Sequence, residues 1–285
     1  MTLFRNILFP VDFSDHSVAM RHDVEFMART FAAKLTLLHA LPPPRGVELL
    51  GEGTPAPPEA RREAAAHLSE FAASMSLPIA IQTMIVDGDA AGNIVEFAKR
   101  HAVDLVMMPT RGFGAFRRFL IGSVTAKVLH DLHCAVWTSA HAELPHGPIP
   151  QGIRAILCAV DLTESDEGLI RRAHDLAVFF SARLHLFHAV SSTPLSTEGF
   201  NQIDFRHFLL QSTRNAIANL QQHAGTDYPV EVAEGNLIGT LSTAVRQYNA
   251  DLLVIGRGHL AQPLGQFRTN AHAIVRASPC PVLSF

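Results

Sequence analysis

Asn6-Ile7-Leu8-Phe9-Pro10-Val11-Asp12-Phe13-Ser14 and Ala155-Ile156-Leu157-Cys158-Ala159-Val160-Asp161-Leu162-Thr163 are one pattern written twice. Each is a short apolar run closed by Val-Asp, a bulky apolar residue and a hydroxyl side chain. Working outward, Lys34-Leu35-Thr36-Leu37-Leu38-His39-Ala40 returns as Arg183-Leu184-His185-Leu186-Phe187-His188-Ala189. Asp104-Leu105-Val106-Met107-Met108 returns as Asp251-Leu252-Leu253-Val254-Ile255, and His133-Cys134-Ala135-Val136 as Pro279-Cys280-Pro281-Val282. The offset drifts only from 149 (Asp12 to Asp161) to 146 (Cys134 to Cys280). Matches in the same order with so little slippage identify a tandem duplication. They predict domains over 1–142 and 153–285. The linker, 143–152, holds three prolines and two glycines that interrupt any regular element.

Within each copy, short apolar runs alternate with longer amphipathic segments. In the first copy this predicts strands at about 5–11, 34–41, 79–86, 103–109 and 134–138. Helices are expected at about 15–33, 58–75, 90–101 and 123–131. Leu105-Val106-Met107-Met108 has no polar alternation, as expected of a parallel strand covered on both faces. The expected fold is α/β: two tandem, doubly wound, Rossmann-like domains with five-stranded parallel sheets. Ligands of such sheets sit at the carboxyl ends of the strands where the strand order reverses. The loops after strands one and four are therefore where chemistry is to be sought.

Composition narrows the function. The 285 residues are 48% hydrophobic and 17% charged, with a net charge of -3. A general nucleic-acid binder needs a basic face, which this balance does not offer. No basic, apolar and small-residue leader opens the chain, and no apolar run approaches the ~20 residues of a membrane helix. Three cysteines, Cys134, Cys158 and Cys280, read as free thiols rather than a disulfide framework. Together these features predict a cytoplasmic protein with no membrane partner.

After strand four of the first copy runs Pro109-Thr110-Arg111-Gly112, and after nine further residues Gly122-Ser123-Val124-Thr125 at the start of a helix. Glycine lets the backbone approach an anion, and a helix N-terminus offers unpaired N–H groups and a favourable dipole. Ser123 and Thr125 can add hydroxyls. Arg111, Arg117 and Arg118 concentrate positive charge, although Arg117 and Arg118 also suit an ordinary solvated surface.

Here the chain resembles the universal stress proteins, once per half. ATP-binding members carry Gly, two residues, Gly, nine residues, Gly and Ser or Thr between the fourth strand and the last helix. Gly112, the spacer, Gly122 and Ser123 match. Pro109 stands at the first glycine, removing an N–H and fixing φ. The resemblance implies ATP, with magnesium as a candidate companion, in the first half. Val11 and Asp12 would lie toward the nucleoside, Ala40 beside the base and Val86 packed on the adenine. Gly112, Gly122, Ser123 and Thr125 would cradle the phosphates, with Pro109, Thr110, Arg111 and Val124 as further residues of the binding site. It also implies an internal pseudo-dimer, the last strands 136–138 and 282–284 pairing across a pseudo-dyad, and a candidate homodimer of the whole chain.

The second copy departs. Counting back from Cys280 puts Arg268-Thr269 where Gly122-Ser123 stands, Thr269 being placed to cap the helix, and Gly256 restores the first glycine. This reads as a degenerate site. Simpler roles stand beside the others. Gly122-Ser123 is also a plain loop glycine and N-cap serine, and Asp12 and Asp161 are also turn or cap residues. Thr163 and Asp166 fit a capping box. His130, His133 and Cys134 have metal-ligand types, but a neutral role fits their placement better. His39 and His188 are expected as hydrogen-bonded buried imidazoles.

No catalytic triad, paired catalytic carboxylates or P-loop is assignable, so binding is favoured over turnover. The leading expectation is an ATP-binding regulatory module. A partner-binding scaffold without nucleotide and a slow ATPase are the alternatives.

Overall fold

A computed structural model describes residues 3–42, 56–110, 121–139, 152–163, 165–190 and 202–257, with 266–285 closing the chain. The side chains of 202–205 and 266–269 lie outside that description. The chain divides into two compact units, Met1–Ile149 and Pro150–Phe285.

The first unit runs β1 (Asn6–Pro10), α1 (Asp15–Phe31), β2 (Lys34–Leu41), α2 (Pro58–Ala73) and β3 (Ile81–Asp87). It continues with α3 (Ala90–Arg100), β4 (Leu105–Pro109), α4 (Ser123–Asp131) and β5 (Ala135–Ser139). The strand order is β3-β2-β1-β4-β5, and every pairing is parallel. Each predicted element of the first copy is present, displaced by two residues or fewer at either end. The unbroken apolar strand β4 is buried along its whole length, as its composition requires.

The second unit runs β6 (Ala155–Ala159), α5 (Asp166–Phe180), β7 (Arg183–Val190), α6 (Gln202–Ala224) and β8 (Val230–Glu234). Then follow α7 (Leu237–Gln247), β9 (Leu252–Ile255), α8 (Gln266–Ala277) and β10 (Val282–Ser284). Its order, β8-β7-β6-β9-β10, is the same winding, again parallel throughout.

The recurring residues have matching local duties. Asp104, just before β4, accepts the backbone N–H groups of Arg5 at 2.8 Å and Asn6 at 3.1 Å. Asp251 does the same for Arg154 at 2.8 Å and Ala155 at 3.0 Å. These carboxylates occupy backbone donors at the amino ends of the central strands, opposite the end where ligands are expected. Gly88 and Gly235, after β3 and β8, have φ of 99° and 142°, which side-chain-bearing residues rarely adopt. Their N–H groups bond the ends of the neighbouring strands, at Leu41 and Val190.

Candidate functional site

In the first unit the chain leaves β1 for β2 on one side, while β4 lies on the other, so the switch point is between β1 and β4. A cavity of about 330 Å³ opens there. Pro10, Val11 and Asp12 line it from the end of β1, and Ser17 from α1. Leu38, His39 and Ala40 line it from β2, and Ala90 and Ile94 from α3. Met108 and Pro109 come from β4, and Gly122, Ser123, Val124 and Thr125 from the start of α4.

Asp12 is held by a concentrated set of donors. Its Oδ1 accepts the Ser14 hydroxyl and the Ser17 hydroxyl, each at 2.6 Å, and the Ser14 N–H at 3.0 Å. Phe13, between the aspartate and these donors, has φ of 61°. A bulky residue there is strained by about 1 kcal/mol or more. Leu162 repeats the strain, at 63°. The turn brings the Ser14 amide back to Asp12, while Ser14 itself caps α1 by accepting the Ser17 N–H at 3.3 Å. Thus Asp12 serves the turn, as the simpler reading expected, and also lines the cavity.

His39 is fixed from beside it. The Val11 carbonyl can only accept, so His39 Nδ1 carries the proton and donates across 2.7 Å. Its ring packs against Phe13 with centroids 4.6 Å apart. The hydrogen-bonded imidazole expected from the repeat is present, although His39 is half-buried rather than buried, and it is also a wall of the cavity.

At the other end, α4 begins with Gly122 as its N-cap and Ser123 as its first helical residue. This corrects the plain N-cap role considered for Ser123 by one position. Glycine has no side chain to cap with, and no side-chain cap is made. The loop ends are tied to β4, Gly122 donating its N–H to the Thr110 carbonyl at 2.9 Å. The Thr125 hydroxyl donates to the Pro109 carbonyl at 3.1 Å.

Of the residues named from sequence, Val11, Asp12, Ala40, Pro109, Gly122, Ser123, Val124 and Thr125 are brought together around this cavity. Two are not among its lining residues. Val86 lies on β3 in register with Ala40. Thr110 is buried, linking Ser139 and Gly122 through its backbone. Arg111, Gly112, Arg117 and Arg118 lie outside the described residues. Sequence reasoning missed Pro10, Ser17, Leu38, Ala90, Ile94 and Met108, and gave His39 only a structural role. Only Ser17 carried a signal: a hydroxyl five positions after Asp12, matched by Asp166 in the repeat.

The second unit is built differently at the matching place. His188 repeats His39, donating from Nδ1 to the Val160 carbonyl at 2.7 Å. Asp166, however, stands where Ser17 does. Its Oδ2 accepts the N–H groups of Asp161 at 2.9 Å and Thr163 at 2.7 Å. Only half of the expected Thr163–Asp166 capping box forms: Asp166 reaches back to the Thr163 N–H, but Ser165 is the N-cap of α5 and the Asp166 N–H goes to the Thr163 carbonyl at 3.0 Å. Burial raises the Asp166 carboxyl, opposed by these hydrogen bonds and by His188. Burial lowers His188, opposed by its bond to Val160 and by Asp166. Thr269 does not cap the last helix as expected. That helix, α8, already begins at Gln266. Arginine is a far better helix former than glycine, so a helix can run through 268 where its counterpart stops at Gly122.

Among the described residues no three His, Cys, Asp or Glu side chains group as metal ligands. No described helix is long and apolar enough to cross a membrane.

Two parallel sheets of the same winding, with a cavity at the first switch point, define an α/β protein of the doubly wound class. The family model described as the Universal stress protein family matches residues 3–139 and again 152–285. A universal stress protein of Methanocaldococcus jannaschii is 31% identical over 140 residues, 47% of this chain and 81% of that protein. Universal stress protein A of Yersinia pestis is 34% identical over 107 residues, 35% of this chain and 71% of that protein. The structure of a universal stress protein from Archaeoglobus fulgidus superposes with a TM-score of 0.62 at 17% identity, covering 98% of this chain and 95% of that one. That last likeness is one of fold alone. The chain belongs to the universal stress protein family, with two such domains in tandem.

Proposed function

We propose that this protein is a regulatory module that binds one adenine nucleotide, ATP, in its first half. The observation that carries the reading is the cavity at the β1/β4 switch point. It gathers Asp12 and Ala40 at one end and the start of α4 at the other. The residues suit the ligand. A helix N-terminus without a side-chain cap favours phosphate oxygens, and Ser123 adds a hydroxyl nearby. The apolar side chains of Val11, Leu38, Ala40 and Ile94 suit a base. Magnesium would enter with the phosphates rather than in a cage of protein ligands. The Asp166 carboxyl at the matching place in the second half suits a single occupied site.

Binding rather than turnover is the role, in a cytoplasmic protein whose three cysteines are free thiols. Titration calorimetry of nucleotide-free protein with ATP and magnesium tests it. About one ATP per chain, lost on Ser123→Arg, is the expected result. Two per chain would remove the degenerate second site. No binding at millimolar ATP would overturn the reading and favour a partner-binding scaffold. Pro109 is the feature that supports that outcome, since it offers no N–H where relatives of this pattern carry glycine.

A further inference from the structure

The two halves differ at one hydrogen-bonding position beneath the turn after their first strands. In the first half the Ser17 hydroxyl accepts the Asp12 N–H at 3.4 Å and donates its own proton, together with the Ser14 hydroxyl and amide, to a single oxygen of Asp12. Three donors on one oxygen fix the rotamer of a carboxylate, and here the carboxylate lines the cavity. Among the described residues that line the cavity, Asp12 is the only acid.

In the second half the matching residue is Asp166, an acceptor, and the donors turn toward it. Thr163 corresponds to Ser14. Its N–H and its hydroxyl go to Asp166 Oδ2, at 2.7 and 3.2 Å, and the Asp161 N–H joins them at 2.9 Å. The aspartate N–H bond at the strand end is kept, Asp12 to Ser17 and Asp161 to Asp166, while the hydroxyl and amide bonds that go to Asp12 in the first half go to Asp166 in the second. A second carboxylate, 4% exposed, stands where the first half has a neutral hydroxyl. An anionic ligand at that strand end meets two acids instead of one, and like charges in a weakly screened site repel strongly.

We propose that this position, Ser17 in the first half and Asp166 in the second, decides which half accepts an anionic nucleotide. Ser17 is a positioning residue acting through Asp12, and Asp166 excludes the same ligand from the second half. The inference rests on the nucleotide reading above and assigns the selectivity between halves to a single exchange outside the loop after strand four.

The test is calorimetric titration of the full chain with ATP and magnesium, comparing wild type with Ser17→Ala, Ser17→Thr and Ser17→Asp. Thermal melts monitor folding. Ser17→Ala is expected to weaken binding about tenfold, as loss of one hydrogen bond to a charged group does. Ser17→Thr, which keeps the hydroxyl, restores affinity to within about threefold. Ser17→Asp, which reproduces the second half, weakens it about a hundredfold or more. Wild-type binding with Ser17→Asp unchanged overturns this inference and leaves the nucleotide reading standing. Ser17→Thr as weak as Ser17→Ala overturns the positioning role. Wild type without affinity for ATP overturns both readings. Should Ser17→Asp fail to fold, the alanine and threonine pair decides.

Discussion

His39 donates its Nδ1 proton to the Val11 carbonyl across 2.7 Å, pinning the residue that follows β1 to the end of β2. His188 and Val160 repeat the bond at the same length. Val11 and Val160 are both buried, so removing the donor strands a carbonyl away from water. His39→Leu and His188→Leu should each cost about 1–3 kcal/mol of stability, read by urea denaturation. Only His39→Leu should also weaken ATP binding, because only that ring lines the first-half cavity.

Asp23 makes the first half sensitive to pH. It is a buried acid on α1, and burial pushes its carboxyl up to about 6. The side chains of Trp137 and Ser139 pull the other way, although the Trp137 indole closes no hydrogen bond. A raised carboxyl binds its proton more tightly in the folded chain than in the unfolded one. Its contribution is thus fully present below about pH 4 and is lost as pH rises through about 6. The loss amounts to about 3 kcal/mol. Asp23→Asn should flatten the stability profile across that window and raise stability at neutral pH. At the matching position of the second half stands Arg172, its guanidinium 4.9 Å from the centre of the Phe285 ring. The effect therefore belongs to the first half.

Asp89 caps α3 and reaches toward α4. Its Oδ2 accepts the Gly92 N–H at 2.8 Å and lies 3.1 Å from Lys127 Nζ. The Gly92 bond first, then Lys127, holds its carboxyl below the usual range. Its stabilising effect is present at neutral pH and fades as pH falls through that lowered value. Asp89→Ala should cost about 1 kcal/mol, the usual penalty of a lost cap. Asp89→Asn keeps the cap and loses only an exposed ion pair, about 0.5 kcal/mol or less. Thermal melts at pH 7 separate the two.

Gly122 has φ of -61° and ψ of 143°, a conformation open to any residue. Glycine at this position is not demanded by the backbone. Gly122→Ala should therefore melt within a few degrees of wild type. Its methyl group stands in the wall of the cavity, and ATP affinity should fall about tenfold or more. Equal affinity would show that close approach at this glycine does not contribute to binding.

Much of this was legible in the sequence because the information is local. β4 announced its burial by an unbroken apolar run, and Asp12 its place in the turn before α1 by the repeated Val-Asp. The repeated Asp104 and Asp251 marked a position whose carboxylate clamp only the coordinates explain. The cavity's polar rim was legible too, since Asp12 and Gly122-Ser123 occur at strand and helix ends. Its apolar wall was not. Met108 and Ile94 look like any core residue until the sheet sets which strand ends meet which helices.

The duplication, the strand–helix alternation and the expected place of a ligand are all written in residue order. Period, composition and spacing are properties of a chain read in order. How side chains divide their hydrogen bonds emerges only in the folded chain. Thr125 gives its proton to Pro109, His39 gives its own to Val11, and the donors that hold Asp12 turn to Asp166 in the second half. Direction and partner of a hydrogen bond depend on distances of about 3 Å between groups that winding brings together, and sequence order does not carry that information.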